Sequence, residues 1–71
     1  MKVWVIFNDE ECVCVTGNKS SAFEELVDIA SETYRNPKRY IDGIMSSFCK
    51  CSDTDNIFGY DKLWARRVDY V

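Results

Sequence analysis

Lys2-Val3-Trp4-Val5-Ile6-Phe7 is a run of β-branched and aromatic residues, answered by Cys12-Val13-Cys14-Val15-Thr16 across the polar stretch Asn8-Asp9-Glu10-Glu11. Two such runs joined by a short acidic turn read as a β-hairpin. Phe7 is expected to pair with Cys12 whether the loop holds two residues or four. Alternation then puts Val3, Val5, Phe7, Cys12, Cys14 and Thr16 on one face of the sheet, and Trp4, Ile6, Val13 and Val15 on the other. Both faces carry large apolar side chains. The rest of the chain must cover at least one of them.

Beyond the hairpin, Gly17 and Asn18 break the second strand, and Ser21-Ala22-Phe23-Glu24 has the capping-box pattern that starts a helix. Phe23, Leu26, Val27 and Ala30 recur at three- and four-residue spacing, which predicts a helix to about Tyr34. Asn36-Pro37 ends it, and Pro37 suits the first position of a second helix. Tyr40, Ile41, Ile44, Met45 and Phe48 carry that helix to about Cys49. Gly43 inside it costs ~1 kcal/mol against alanine, which predicts a close crossing at that point. Residues 51–56 form a polar loop, and Ile57-Phe58-Gly59-Tyr60 is too short and mixed to assign. Lys62 to Val71 reads as the last strand, with Trp64, Val68 and Tyr70 on one face and Leu63, Ala65 and Val71 on the other. The predicted class is α+β, in the order β-β-α-α-β. Its simplest form is one domain: a three-stranded antiparallel or mixed sheet, the N-terminal strand central, and a helical pair on one face.

Composition narrows the function. Seventy-one residues are near the lower limit for a core without staples. With 46% hydrophobic and 14% aromatic residues the chain is not disordered. Nine Lys+Arg against twelve Asp+Glu give a net charge of −3, which disfavours nonspecific binding to nucleic acid or to an anionic membrane. No apolar run approaches the ~18 residues of a membrane span. The first residues read as a strand rather than a signal peptide, so the thiols are expected reduced, in a cytoplasm. The chain has no histidine, which excludes Ser-His and Cys-His nucleophiles and His-containing zinc sites. The expectation is a binding protein rather than an enzyme, with no cofactor.

Three groups of residues compete for a functional role. The pairs Cys12-Val13-Cys14 and Cys49-Lys50-Cys51 suggest a four-thiolate zinc site or a redox pair. On a strand, however, Cys12 and Cys14 sit ~6.5 Å apart at roughly 3.3 Å per residue. Two sulfurs on one zinc must be nearer ~3.8 Å, given Zn–S of about 2.3 Å. Plain buried hydrophobes are the stronger reading. On the first helix, Glu24, Asp28 and Glu32 follow at i, i+4 with Glu25 beside them, a spacing at which like charges destabilise. A solvated face explains that stripe, and so does a cationic partner. Tyr34-Arg35-Asn36-Pro37-Lys38-Arg39-Tyr40 mixes cations and aromatics in a way that can grip single-stranded nucleic acid, though equally it complements the helix dipole.

The sheet supplies the third group. A helical hairpin covers one face, so an apolar patch of several hundred Å² is left on the other, unless the helices sit on opposite faces or Ile57-Phe58 folds over it. If the helices cover Val3, Val5 and Phe7, the exposed set is Trp4, Ile6, Trp64, Val68 and Tyr70, which would serve a homodimer or a partner. The last strand, taken as an edge, is expected at its centre.

The opening Lys2–Phe7 run, the acidic hairpin, Ser20-Ser21 before an acidic amphipathic helix and the closing Val68-Asp69-Tyr70-Val71 resemble a group of very small phage and prophage proteins. In size and charge these are similar to phage inhibitors of bacterial defence systems, anti-CRISPR proteins included. The resemblance implies a non-enzymatic inhibitor acting in the cytoplasm of an infected host, with Glu24, Glu25, Asp28 and Glu32 meeting a basic surface of a defence complex. A thiol-based regulatory domain and a phage assembly factor are the alternatives.

Overall fold

The structure, a computed structural model, describes residues 1–69; Tyr70 and Val71, assigned above to the last strand, lie outside the described residues. Strand β1 (Lys2–Asn8) turns through Asp9-Glu10 into β2 (Glu11–Thr16). Helices α1 (Lys19–Thr33) and α2 (Pro37–Lys50) follow, then a second hairpin of β3 (Ile57–Tyr60) and β4 (Leu63–Asp69). Both hairpins turn on an aspartate with positive φ, 62° at Asp9 and 54° at Asp61. Aspartate tolerates that left-handed conformation better than most residues, which suits two-residue hairpin loops.

The α+β class and the helical pair are as expected, but the sheet has four antiparallel strands, in the order β2-β1-β4-β3. The stretch 57–60, left unassigned from sequence, is a strand because Gly59 permits it. Gly59 has φ +154°, and a Cβ there would strike the carbonyl of Leu63 and the backbone of Trp64 across the pair. With β3 in place, β4 is an interior strand and not the edge it was expected to be. The edges are β2 and β3. The edge of β3 is partly closed by α2 and the residue after it, since Ser47 Oγ accepts from Gly59 N at 3.0 Å and Cys51 Sγ donates to Ile57 O at 3.9 Å.

Helix α1 starts two residues before the capping-box serine Ser21. Asn18 is its cap and its Oδ1 accepts from Ser21 N at 2.8 Å. The buried stripe is Ala22, Leu26 and Ala30, with Phe23 and Ile29 packed beside it. Helix α2 begins at Pro37 as read from the sequence. Gly43 does mark a close crossing: a Cβ there would overlap the ring of Tyr60.

Both helices lie on one face of the sheet, and that face holds Trp4, Ile6, Phe58, Leu63 and Ala65. The core is these five with Ala22, Leu26, Ala30 and Ile44. Trp4 meets Phe58 edge-on at 5.2 Å, and Phe48 reaches Phe58 at 5.5 Å. Trp4 and Ile6, expected on the open face, are therefore core residues. Aromatic and aliphatic bulk on β1 does not say which face is covered. On β4 the helix side holds the buried Leu63 and Ala65, with Arg67 over the Trp4 ring, and Trp64 and Arg66 face the other way.

Candidate functional site

The face turned away from the helices is built from all four strands. Register places Val3 opposite Val68, Val5 opposite Arg66, and Phe7 opposite Trp64. On the far side of β1, Val15 lies opposite Val5. Between Ile6 and Phe7 the β1–β2 register shifts by one residue, so Ile6 pairs with Cys14 while Phe7 pairs with Cys12. Val13 is the additional residue of this bulge. The Phe7–Cys12 pairing is as expected. The bulge reverses the expected facing of the rest of β2: Cys14 joins the helix side, and Val13 and Val15 turn to the open side.

The open face is apolar and uncovered. Val13, Val15 and Ile57 are 47%, 56% and 57% exposed, and Val3, Val5, Phe7, Trp64 and Val68 are half-buried by their neighbours alone. Trp64 stacks on Phe7 with ring centroids 4.1 Å apart, and its Nε1 donates to Asp9 O at 3.0 Å. These bonds fix a flat aromatic pair at one end of the face. Of the five residues expected to form the patch, Trp64 and Val68 belong to it, Trp4 and Ile6 do not, and Tyr70 lies outside the described residues. Val3, Val5, Phe7, Val15 and Ile57 were missed. The signal available was the even-spaced apolar series on both sides of β1, which marks two candidate faces without ranking them.

The carboxylates of α1 point the other way. Glu24, Asp28 and Glu32 are exposed and Glu25 is half-buried. Among the described residues none of the four has a cation within ion-pair distance; the ion pair there joins Lys2 to Asp69 at 3.0 Å and holds the Asp69 carboxyl below its usual range. Because the helix starts at Lys19, no acid stands in its first turn. The helix dipole therefore gives Glu24 and Glu25 no compensation, and the i, i+4 repulsion stands unrelieved. Glu25 accepts from Cys14 Sγ at 3.7 Å. Burial, helped by the nearby Glu25 charge, pushes the Cys14 thiol up, away from the thiolate form that reacts or binds metal.

The cysteine pairs occupy opposite edges of the sheet, Cys12 and Cys14 on β2, and Cys51 beside Ile57 of β3. All four thiols are free, and among the described residues no three His, Cys, Asp or Glu side chains gather as metal ligands. Cys12 and Cys49 are exposed rather than buried. Cys12→Ser with Cys49→Ser is accordingly expected to lower stability by less than about 1 kcal/mol, the scale of exposed substitutions. Urea unfolding measures this, and a collapse reversed in the parent by added zinc would contradict it.

The Tyr34–Tyr40 segment works inside the molecule. Tyr34 and Tyr40 stack on each other at 4.0 Å, and Tyr40 meets Tyr60 edge-on at 5.5 Å. Arg39 Nε donates to Tyr60 OH at 3.1 Å, and Tyr40 OH donates to Asp61 Oδ2 at 3.2 Å. Ring faces used on one another are not free for nucleobases. An open groove of about 510 Å³ lies between α2 and β3, lined by Gly43, Ser47, Lys50, Cys51 and Tyr60. No helix among the described residues is long and apolar enough to cross a membrane. Comparison with family models, with curated proteins and with solved structures returns no significant match.

Proposed function

We propose that this chain is a non-enzymatic interaction protein that acts by occupying surfaces, and that it inhibits a bacterial defence complex in the cytoplasm of a phage-infected host. The observation that carries the interaction reading is the apolar sheet face left without a cover. An uncovered patch of valines with Trp64 and Phe7 at one end has the composition of a protein-binding surface. The defence-complex target rests on the resemblance to small phage proteins. On the helix side, Glu24, Glu25, Asp28 and Glu32 meet a basic surface such as a nucleic-acid groove of the target. Their mutual repulsion, unrelieved in the free chain, is relieved in that complex.

The test is charge reversal. Asp28→Lys with Glu32→Lys should abolish protection of phage in plating assays on a host whose defence complex the parent chain disables. The same pair should keep or slightly raise the melting temperature, because position 28 then attracts Glu24, a gain of a few tenths of a kcal/mol, while positions 28 and 32 stay like-charged. Full protection by the variant would return the stripe to a solvated face.

A further inference from the structure

We infer that the occupant of the open sheet face is a second copy of this chain, and that Arg66 limits the strength of the pair. This deepens the interaction reading above, but it concerns the sheet side of the molecule, whereas the acidic helix contact lies on the other. The face is nearly self-sufficient as an isologous interface. Its central rows run Val15-Val5-Arg66-Ile57 and Val3-Val68, and the aromatic pair Phe7–Trp64 closes one end. Two such twisted faces pack aligned with their inner side chains interdigitated, giving a helix–sheet–sheet–helix body with both α1 helices outermost. The footprint is modest. Strands of up to seven residues, four abreast, make a face of roughly 20 by 19 Å at the usual rise and spacing. Two copies then bury on the order of 1,000 Å², near the lower limit for a specific pair. A core of nine buried side chains gains from that added burial.

Arg66 sets the limit. It is exposed, and among the described strands it is the only charged side chain on the open face. It stands mid-strand on β4, between Val5 of β1 and Ile57 of β3. Any two-fold pairing about the middle of the face carries both guanidinium groups into one apolar layer about 10 Å thick, with no acid on either face to receive them. Like charges so placed oppose association. A foreign partner with a carboxylate at that point would have the opposite dependence on Arg66.

Sedimentation equilibrium of the full chain across micromolar concentrations tests both parts. The parent should show a monomer–dimer equilibrium, and Val68→Lys and Val15→Lys should each be monomeric with an unchanged circular-dichroism spectrum. Arg66→Leu should lower the dimer dissociation constant at least about tenfold, equivalent to 1.4 kcal/mol. It does so although it removes a positive charge from a chain of net charge −3, so general repulsion between copies would push the other way. A parent and Arg66→Leu that are both monomeric throughout overturn the inference, as does a dimer that survives both lysine substitutions. Weaker pairing of Arg66→Leu overturns the role given to Arg66. None of these results depends on the phage plating assay, so the dimer and the defence-inhibition reading fail separately.

Discussion

Gly59→Val is expected to destabilise the protein by about 3 kcal/mol or more, the combined scale of a strained backbone and an overpacked contact. A flexible neighbouring side chain could swing away from a new Cβ, but Gly59 faces backbone: the carbonyl of Leu63 and the Cα of Trp64. Its φ of +154° adds a conformation that side-chain-bearing residues rarely adopt. Relief requires β3 to move off β4, and that would strip Phe58 from the core and undo the Gly59 N to Ser47 Oγ bond. The urea midpoint reads the loss, and hydrogen exchange should show β3 and β4 amides deprotected before those of β1 and β2. A midpoint equal to the parent's would mean that β3 does not contribute to the folded state as described.

Leu26→Ala should cost about 2–5 kcal/mol, the range for emptying a fully buried leucine site. Leu26 is wholly inaccessible and lies on the α1 stripe between Ala22 and Ala30. Both of those neighbours are alanines, so no larger adjoining side chain on the stripe can swing into the space. A 71-residue domain sits at the low end of the usual 5–15 kcal/mol of stability, so the variant is expected to be largely unfolded at 37 °C. Thermal melts followed at far-ultraviolet wavelengths measure this. A shift of only one or two degrees would contradict the assigned core.

How far these features are legible in the sequence varies with how local their causes are. β1, β2 and α2 follow from adjacent residues: an unbroken β-branched run, its partner across an acidic turn, and a proline at a helix start. The beginning of α1 is ambiguous because two capping signals overlap, and Asn18, which the strand break seemed to claim, serves as the cap. β3 escapes because its strand character depends on Gly59, a residue that locally argues against a strand and is required only by Trp64 opposite. The facing of Cys14, Val13 and Val15 escapes because a single bulge residue reverses alternation without leaving a mark in composition. On the site, the α1 carboxylates are legible at four-residue spacing. The open face was legible only as a surplus of apolar surface. Which half of that surplus is covered depends on pairing between β1 and β4, more than fifty residues apart in the chain.

That pairing also governs when the protein can become a protein. The two central strands are the first and last elements of the described fold, joined from Lys2–Asp69 to Asn8–Leu63. The β1–β2 hairpin and the α1–α2 hairpin close locally, but the core they share lacks Phe58, Leu63 and Ala65 until β3 and β4 arrive and β4 slots in beside β1. Loop closure over such separations is entropically slow compared with helix or hairpin formation. On the ribosome, Trp4 and Ile6 would therefore wait incompletely covered while nearly sixty further residues are made, and the core would be completed only after β4 has left the exit tunnel. Folding of this chain accordingly waits for β4, and a nascent chain stalled before Leu63 is a ready target for chaperones.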